Sequence, residues 1–224
     1  MDKKTGCLII HGFSGGVYEV EPLAGYLAKE GFETVCPELK GHTGRRRDIA
    51  FVSYKDWIAS AEEELVKLKS ECEKIAMIGF SMGGLIAVNL ALKHKPDVLV
   101  TLSMPIFHWD FSIIARNILE DFKAREASNL RRYVKSSTIP VTALLNFKAL
   151  LQRTKGRLKD ISTPIFIAQG LKDDTVQARS AEYIYRYTGS EIKELKYYND
   201  SEHLICHGPD SENLFRDVAA FIRK

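Results

Sequence analysis

The chain has 224 residues, 45% of them hydrophobic and 27% charged, and carries a formal net charge of +3. That length buries one sizeable core rather than two independent ones, and no apolar stretch approaches the roughly 20 residues needed to cross a bilayer. So small a positive charge, without an aromatic and basic RNA-recognition motif, excludes nucleic acid as the expected partner.

In chain order, apolar runs of strand length alternate with segments of helical period, the signature of a parallel sheet wrapped by helices. Gly6 to Ile10 is the first strand. Only two lysines and a short apolar run precede His11 and Gly12, too little for a signal peptide, so a cytoplasmic protein is expected. A helix over Tyr18 to Glu30 and a strand over Phe32 to Cys36 follow, and then Gly41 to Asp48, with three consecutive arginines, reads as an exposed loop. The remaining strands are expected at Ile75 to Gly79, Val98 to Leu102, Pro164 to Gln169 and Ile192 to Tyr198. Helices are expected at Tyr54 to Lys69, Met82 to Lys93, Ala178 to Tyr187 and Asn213 to Arg223, the last with Leu214, Val218, Phe221 and Ile222 on one stripe. Strands in this βαβ order imply a doubly wound α/β fold.

One stretch breaks the alternation. About fifty residues after Ser103-Met104-Pro105 carry helical period without a strand, at Phe107, Phe111, Ile114, Ile118 and Phe122 and again at Leu144, Phe147, Leu150 and Leu151. Loops beyond about 15 residues without structure are uncommon in compact domains, so residues 105–159 are expected to form a helical cap inserted between core segments 1–104 and 160–224. The four cysteines, Cys7, Cys36, Cys72 and Cys206, lie far apart with no C-x-x-C pair, and free thiols are expected. His203, Cys206 and His207 supply three potential metal ligands with no matching second half, so no metal is expected.

The chemistry-bearing pattern is Gly79-Phe80-Ser81-Met82-Gly83-Gly84, with a strand-type run before it and a helical run after it. A serine at the apex of so sharp a strand-to-helix turn is strained, and glycines on either side remove collisions with strand and helix. Acyl transfer by serine then needs a base, a carboxylate to orient it, and amide donors for the oxyanion. Such groups collect beyond the carboxyl ends of strands in open α/β sheets. His203 follows the last strand, and Asp173 and Asp174 follow the one before it; by position alone either carboxylate serves. Of the other histidines, His42 is expected to brace a neighbouring loop, His94 to be a solvated helix end, and His108 to line the cap or face water.

Five motifs carry a resemblance. They are Leu8-Ile9-Ile10-His11-Gly12-Phe13-Ser14-Gly15, Lys40-Gly41-His42, Gly79-Phe80-Ser81-Met82-Gly83-Gly84, Gly170-Leu171-Lys172-Asp173-Asp174-Thr175-Val176 and Ser201-Glu202-His203. Over nearly its whole length the chain resembles the small bacterial carboxylesterases and monoacylglycerol lipases of the α/β-hydrolase superfamily. The resemblance implies a minimal, mostly parallel six-stranded sheet with an inserted helical cap. It also implies Ser81 as nucleophile, His203 as general base and then acid, and, by the G-x-x-D-x-x-V spacing, Asp173 as the orienting carboxylate. The oxyanion donors would be the backbone N–H groups of Phe13 and Met82. The chain departs from the family at Glu202, where glycine is common, and at Thr43, which separates His42 from Gly44.

The substrate side is assigned to His11, Phe107, Trp109 and Phe111, with His11 holding the oxyanion loop rather than acting as a base. An apolar cap face over the site implies short- to medium-chain acyl esters, monoacylglycerols included, as small-molecule substrates of a serine carboxylesterase with no metal or organic cofactor. A thioesterase or other serine hydrolase on the same fold, and a non-catalytic ligand-binding protein, remain the alternatives. Pro105 to Asp160 holds eleven Lys or Arg against five Asp or Glu, leaving 21 against 24 elsewhere. The basic cap is thus either a solvated helical face or a weak contact for an anionic interface. Oligomeric state is left open.

Overall fold

The computed structural model describes residues 4–45, 48–107 and 140–224. Trp109 and Phe111, with His108, Ile114, Ile118 and Phe122 of the expected cap, lie outside the described residues. Six strands, β1 (Thr5–Ile10), β2 (Glu33–Val35), β3 (Lys74–Phe80), β4 (Val98–Leu102), β5 (Ile165–Gly170) and β6 (Lys193–Tyr198), form one sheet in the order β2-β1-β3-β4-β5-β6. Every neighbouring pair is parallel. The central strands are nearly continuous apolar runs because both their faces are buried, with Thr101 of β4 and Gln169 of β5 as buried polar residues. β6 sits at an edge, its exposure alternates along the strand, and its charged Lys193, Glu194 and Lys196 disfavour pairing with another chain.

Helices cover both faces. Leu8, Ile10 and Met77 point into one cluster with α2 (Tyr54–Glu71), α3 (Met82–His94), α4 (Val141–Arg157) and α5 (Arg179–Tyr187). Cys7, Ile9, Ala76 and Ile78 point the other way, onto α1 (Glu21–Lys29) and α6 (Ser211–Arg223). The period-2 pleat of each central strand therefore feeds two cores. Ser53 caps α2 through a reciprocal capping box with Asp56. α3 is buried along nearly its whole length, from Met82 to Ala91, so its sequence is apolar all round rather than striped.

Two local expectations change. The helix expected over Tyr18 to Glu30 divides into a 3-10 turn at Val17–Glu19 and α1 from Glu21. Pro22 lacks an amide hydrogen and is tolerated in a helix only in the first turn, so α1 must begin beside it. His94 is not merely solvated: it is half-buried at the end of α3 and its Nε2 meets Glu62 of α2.

The second helical run of the expected cap is α4, and it is bound into the layer beneath. Ala143, Leu150 and Leu151 join the cluster of α2 and α3. Asn89 of α3 donates from Nδ2 to Thr154 Oγ1 at 2.7 Å, and Arg153 Nε donates to Asn89 Oδ1 at 3.1 Å. The amide of Tyr54, first residue of α2, donates to Asn146 Oδ1 at 3.1 Å. A buried asparagine satisfied on all sides in this way fixes how two helices register.

Candidate active site

Ser81 joins the end of β3 to the start of α3 with φ 50° and ψ −119°, a backbone conformation that side chains rarely adopt and that costs about 1–3 kcal/mol. The turn is held by the Ser81 amide, which donates to Leu102 O of β4 at 2.8 Å. Its flanking glycines are steric requirements. A Cβ at Gly79 would lie 2.2 Å from Gly83 O, and one at Gly83 would lie 2.1 Å from Ile10 O. The pattern read from the sequence is thus the condition for strand, serine and helix to pass this close. Ser14 and Ser103, just beyond β1 and β4, also have positive φ, so strained backbone collects at this edge of the sheet.

β5 and β6 end at the same edge, where Gly170 pairs with Tyr198. The loops beyond them bring Asp173 and His203 together: His203 Nδ1 donates to Asp173 Oδ2 at 2.9 Å. The Asp173 side chain is 1% exposed and that of His203 14%. Asp173 Oδ1 accepts from the amides of Thr175 and Val176 at 2.8 and 2.7 Å, and Oδ2 accepts from Gln169 Nε2 at 3.1 Å. Burial is the largest influence on this carboxyl and pushes its pKa up. The hydrogen bond and charge of His203, with the two amides, outweigh it and hold the group below its ordinary range. Asp174 is exposed and bonds Thr175 Oγ1. The two adjacent carboxylates are therefore separated by geometry: one is locked behind a histidine and the other faces water. The ring of Phe80, the residue before Ser81, packs at 5.0 Å from the ring of His203, which sets the histidine beside the serine turn.

The loop after β1 is clamped by side chains. His11 is fully buried; its Nδ1 donates to Gly12 O at 3.0 Å and its Nε2 accepts from the Leu39 amide at 3.3 Å. Acceptance by Nε2 demands the neutral ring, and burial, helped by neighbouring His42, pushes its pKa down to about 4. A trans peptide directs its C=O and N–H oppositely, so anchoring Gly12 O aims the Phe13 N–H the other way. His42 accepts the Ser14 amide at 3.2 Å and packs edge-on to His11, so it braces the loop as expected. Phe13 packs against Trp57 of α2 and Phe147 of α4, at 5.8 and 5.1 Å. Met82, the other expected donor, is the first residue of α3 and carries one of the amides that a helix leaves without an internal acceptor.

Phe107, at the end of the described segment after β4, is half-buried against Tyr183 of α5, with Lys155 and Arg179 over its ring. His203, Cys206 and His207 do not converge. His203 faces Asp173, Cys206 is buried, and His207 Nε2 donates to Tyr18 O. Among the described residues no helix is long and apolar enough to cross a membrane.

Two buried polar residues at the site had no place in the sequence reading. Gln169, at the end of β5, supports Asp173. Glu19, on the 3-10 turn, is 8% exposed, and its Oε2 accepts the Gly12 amide at 2.8 Å. Its signal was a charged residue four and eight positions before Leu23 and Leu27, on the apolar stripe of the expected helix.

A profile of the Alpha/beta hydrolase family matches residues 7–210. A thermostable monoacylglycerol lipase of Bacillus sp. (strain H-257) is 31% identical over an alignment of 235 positions that covers 98% of this chain and 91% of that one. A carboxylesterase of Bacillus subtilis (strain 168) is 24% identical, over 97% and 92% of the two chains. Among solved structures, one described under LipS and LipT, two metagenome-derived lipolytic enzymes, superposes with a TM-score of 0.82 at 22% identity, over 99% of this chain and 94% of that one. The monoacylglycerol lipase of Paleococcus ferrophilus superposes with a TM-score of 0.73 at 14% identity, over 97% and 93%. Both superpositions speak to the fold.

Proposed function

The chain belongs to the alpha/beta hydrolase family, and from that premise we propose that it is a serine carboxylesterase acting on short- to medium-chain acyl esters, monoacylglycerols included. The observation that carries this reading is the 2.9 Å bond between His203 and Asp173, made by the loops after β6 and β5 at the edge where strained Ser81 ends β3. The names of the Bacillus relatives, a monoacylglycerol lipase and a carboxylesterase, support the ester as substrate class.

In the proposed reaction Ser81 Oγ attacks the ester carbonyl carbon while His203 Nε2 takes its proton. Asp173 keeps the Nδ1 proton in place and stabilises the imidazolium. The amides of Phe13 and Met82 bond the oxygen that becomes negative. Collapse expels the alcohol, which receives the proton from His203 and leaves an acyl-Ser81. Water then repeats the cycle: His203 accepts its proton, the hydroxide oxygen attacks the acyl carbon, and Ser81 Oγ leaves as the proton returns to it.

The insertion at 105–159 enters this proposal as the part of the chain that shapes the pocket between core segments 1–104 and 160–224. The contact between Phe147 of α4 and Phe13 of the oxyanion loop supports that role. The cysteines Cys7, Cys36, Cys72 and Cys206 are free, which supports a reducing, cytoplasmic setting. The test is hydrolysis of p-nitrophenyl esters from acetyl to palmitoyl, with Ser81→Ala as control. Turnover that peaks at short or medium chains and vanishes in the variant is expected. Turnover of acyl thioesters alone would move the protein to a thioesterase, and no turnover of either would leave a ligand-binding protein.

A further inference from the structure

We propose that Glu19 is a positioning residue for the hydrolytic step: its carboxylate fixes the His11–Gly12 peptide, the one next to the peptide that carries the first oxyanion donor, and places negative charge behind the proposed base. The inference rests on the serine hydrolase reading above.

A carboxylate so deeply buried is costly unless donors surround it. Burial pushes the pKa of Glu19 up, and what pulls it back are the amides of Gly12 and Gly16 and the charges of His203 and His207, with no lysine or arginine among these influences. If stability alone were at stake, an apolar side chain of similar volume would serve as well or better in such a place.

The geometry gives the group a task. Glu19 Oε2 holds the N–H of Gly12 at 2.8 Å, and His11 Nδ1 holds the C=O of the same residue at 3.0 Å. Glu19 thereby holds the His11–Gly12 peptide and His11 the Gly12–Phe13 peptide, so Gly12 is fixed from both sides, and the Phe13 N–H is the atom that a swing of this residue would carry away from a substrate oxygen. The loop is also shaped around the carboxylate, since a Cβ on Gly15 would lie 2.2 Å from its carbon and both oxygens. The turn that carries Glu19 is tied to the segment after His203 through the 2.9 Å bond from His207 Nε2 to Tyr18 O. Glu19 thus joins the oxyanion loop to the histidine loop, and its charge favours the imidazolium that forms when His203 takes the Ser81 proton.

The test compares wild type with Glu19→Ala and the near-isosteric Glu19→Gln, by steady-state hydrolysis of p-nitrophenyl butyrate and by the rate of fluorophosphonate labelling at Ser81. Active sites are counted by the label's end point, so a partly unfolded fraction does not enter the rates. Removal of an oxyanion donor costs about 10²–10³-fold, and displacement of one should cost Glu19→Ala about 10²-fold in kcat per site with KM within about twofold. Glu19→Gln retains an oxygen for the Gly12 amide and loses the charge, so a fall of about tenfold is expected. Labelling should slow in the same order, because the phosphonyl oxygen uses the same donors. The Gln variant decides the matter where the Ala variant does not fold. Rates within about twofold of wild type, or a raised KM at unchanged kcat, would overturn the proposal. Wild-type protein that labels at Ser81 but hydrolyses no ester would sink the ester reading, while the labelling comparison still reads Glu19.

Discussion

Asp173→Asn is the sharpest test of the proposed triad, because the structure dictates how the new amide must sit. Asp173 Oδ1 accepts two backbone amides at 2.8 and 2.7 Å, and neither donor can move without the loop. The asparagine carbonyl must take that position, which puts its NH2 where Oδ2 stood. There it faces His203 Nδ1 at 2.9 Å and Gln169 Nε2 at 3.1 Å. It donates to Nδ1 and drives the ring proton onto Nε2, the nitrogen that has to accept the serine proton. The same exchange opposes two NH2 groups at Gln169, at a cost of about 1–3 kcal/mol in stability. Loss of the correct tautomer and of imidazolium stabilisation should lower kcat by about 10⁴-fold, or roughly 5 kcal/mol of barrier, with little change in KM. The assay is p-nitrophenyl butyrate hydrolysis per titrated site, alongside Asp174→Asn, whose exposed side chain should change rates less than about twofold. An Asp173→Asn enzyme within about tenfold of wild type, or an Asp174→Asn enzyme equally impaired, would refute the assignment.

Gly83→Ala would place a methyl group 2.1 Å from Ile10 O, a backbone atom at the end of β1, so the strand and the serine turn must part. A loss of about 3 kcal/mol or more and a large fall in activity are expected; an unchanged melting temperature would show that the turn has slack. His11 sets an acid limit on stability. Its folded pKa of about 4 lies below the ordinary 6.5, so the unfolded chain binds more protons between those values. The stability is fully present above about pH 6.5, should be about 2 kcal/mol lower at pH 5, and continues to fall toward about pH 4, with His42 acting in the same direction. Denaturant midpoints should show this slope in wild type and a shallower one in His11→Gln, and parallel slopes would remove His11 as the cause. If the basic insertion touches anionic interfaces, sedimentation with phosphatidylglycerol vesicles should weaken as salt rises past about 0.1 M, where surface charges are screened beyond about 10 Å. Salt-indifferent binding, or none, would leave a solvated face.

The elements were readable because their causes are local. Buried parallel strands need nearly continuous apolar runs, and all six runs became strands within a residue or two of the expected ends, shortest at the half-buried edge strand β2. The serine turn was readable for a similar reason: its two glycines are demanded by atoms within a few residues or at the end of the adjacent strand. The reading of α4 as cap was less direct, since an apolar stripe shows that a helix buries one face without naming the surface it buries against. That surface is α2 and α3, reached through Asn89, Thr154 and Asn146.

Sequence alone therefore determined the α/β alternation, the serine turn, and a histidine and two carboxylates beyond the last strands, because spacing and steric demand are written along the chain. Tertiary structure decided what depends on distance between remote residues. Strand order brought residues 173 and 203 to one edge, and a hydrogen bond separated Asp173 from Asp174. The roles of Glu19 and Gln169 appeared only there, since a polar side chain acquires its meaning from partners that folding brings to it. Where no water is left to satisfy a carboxylate or an amide, the partner supplied by the fold defines what the residue does.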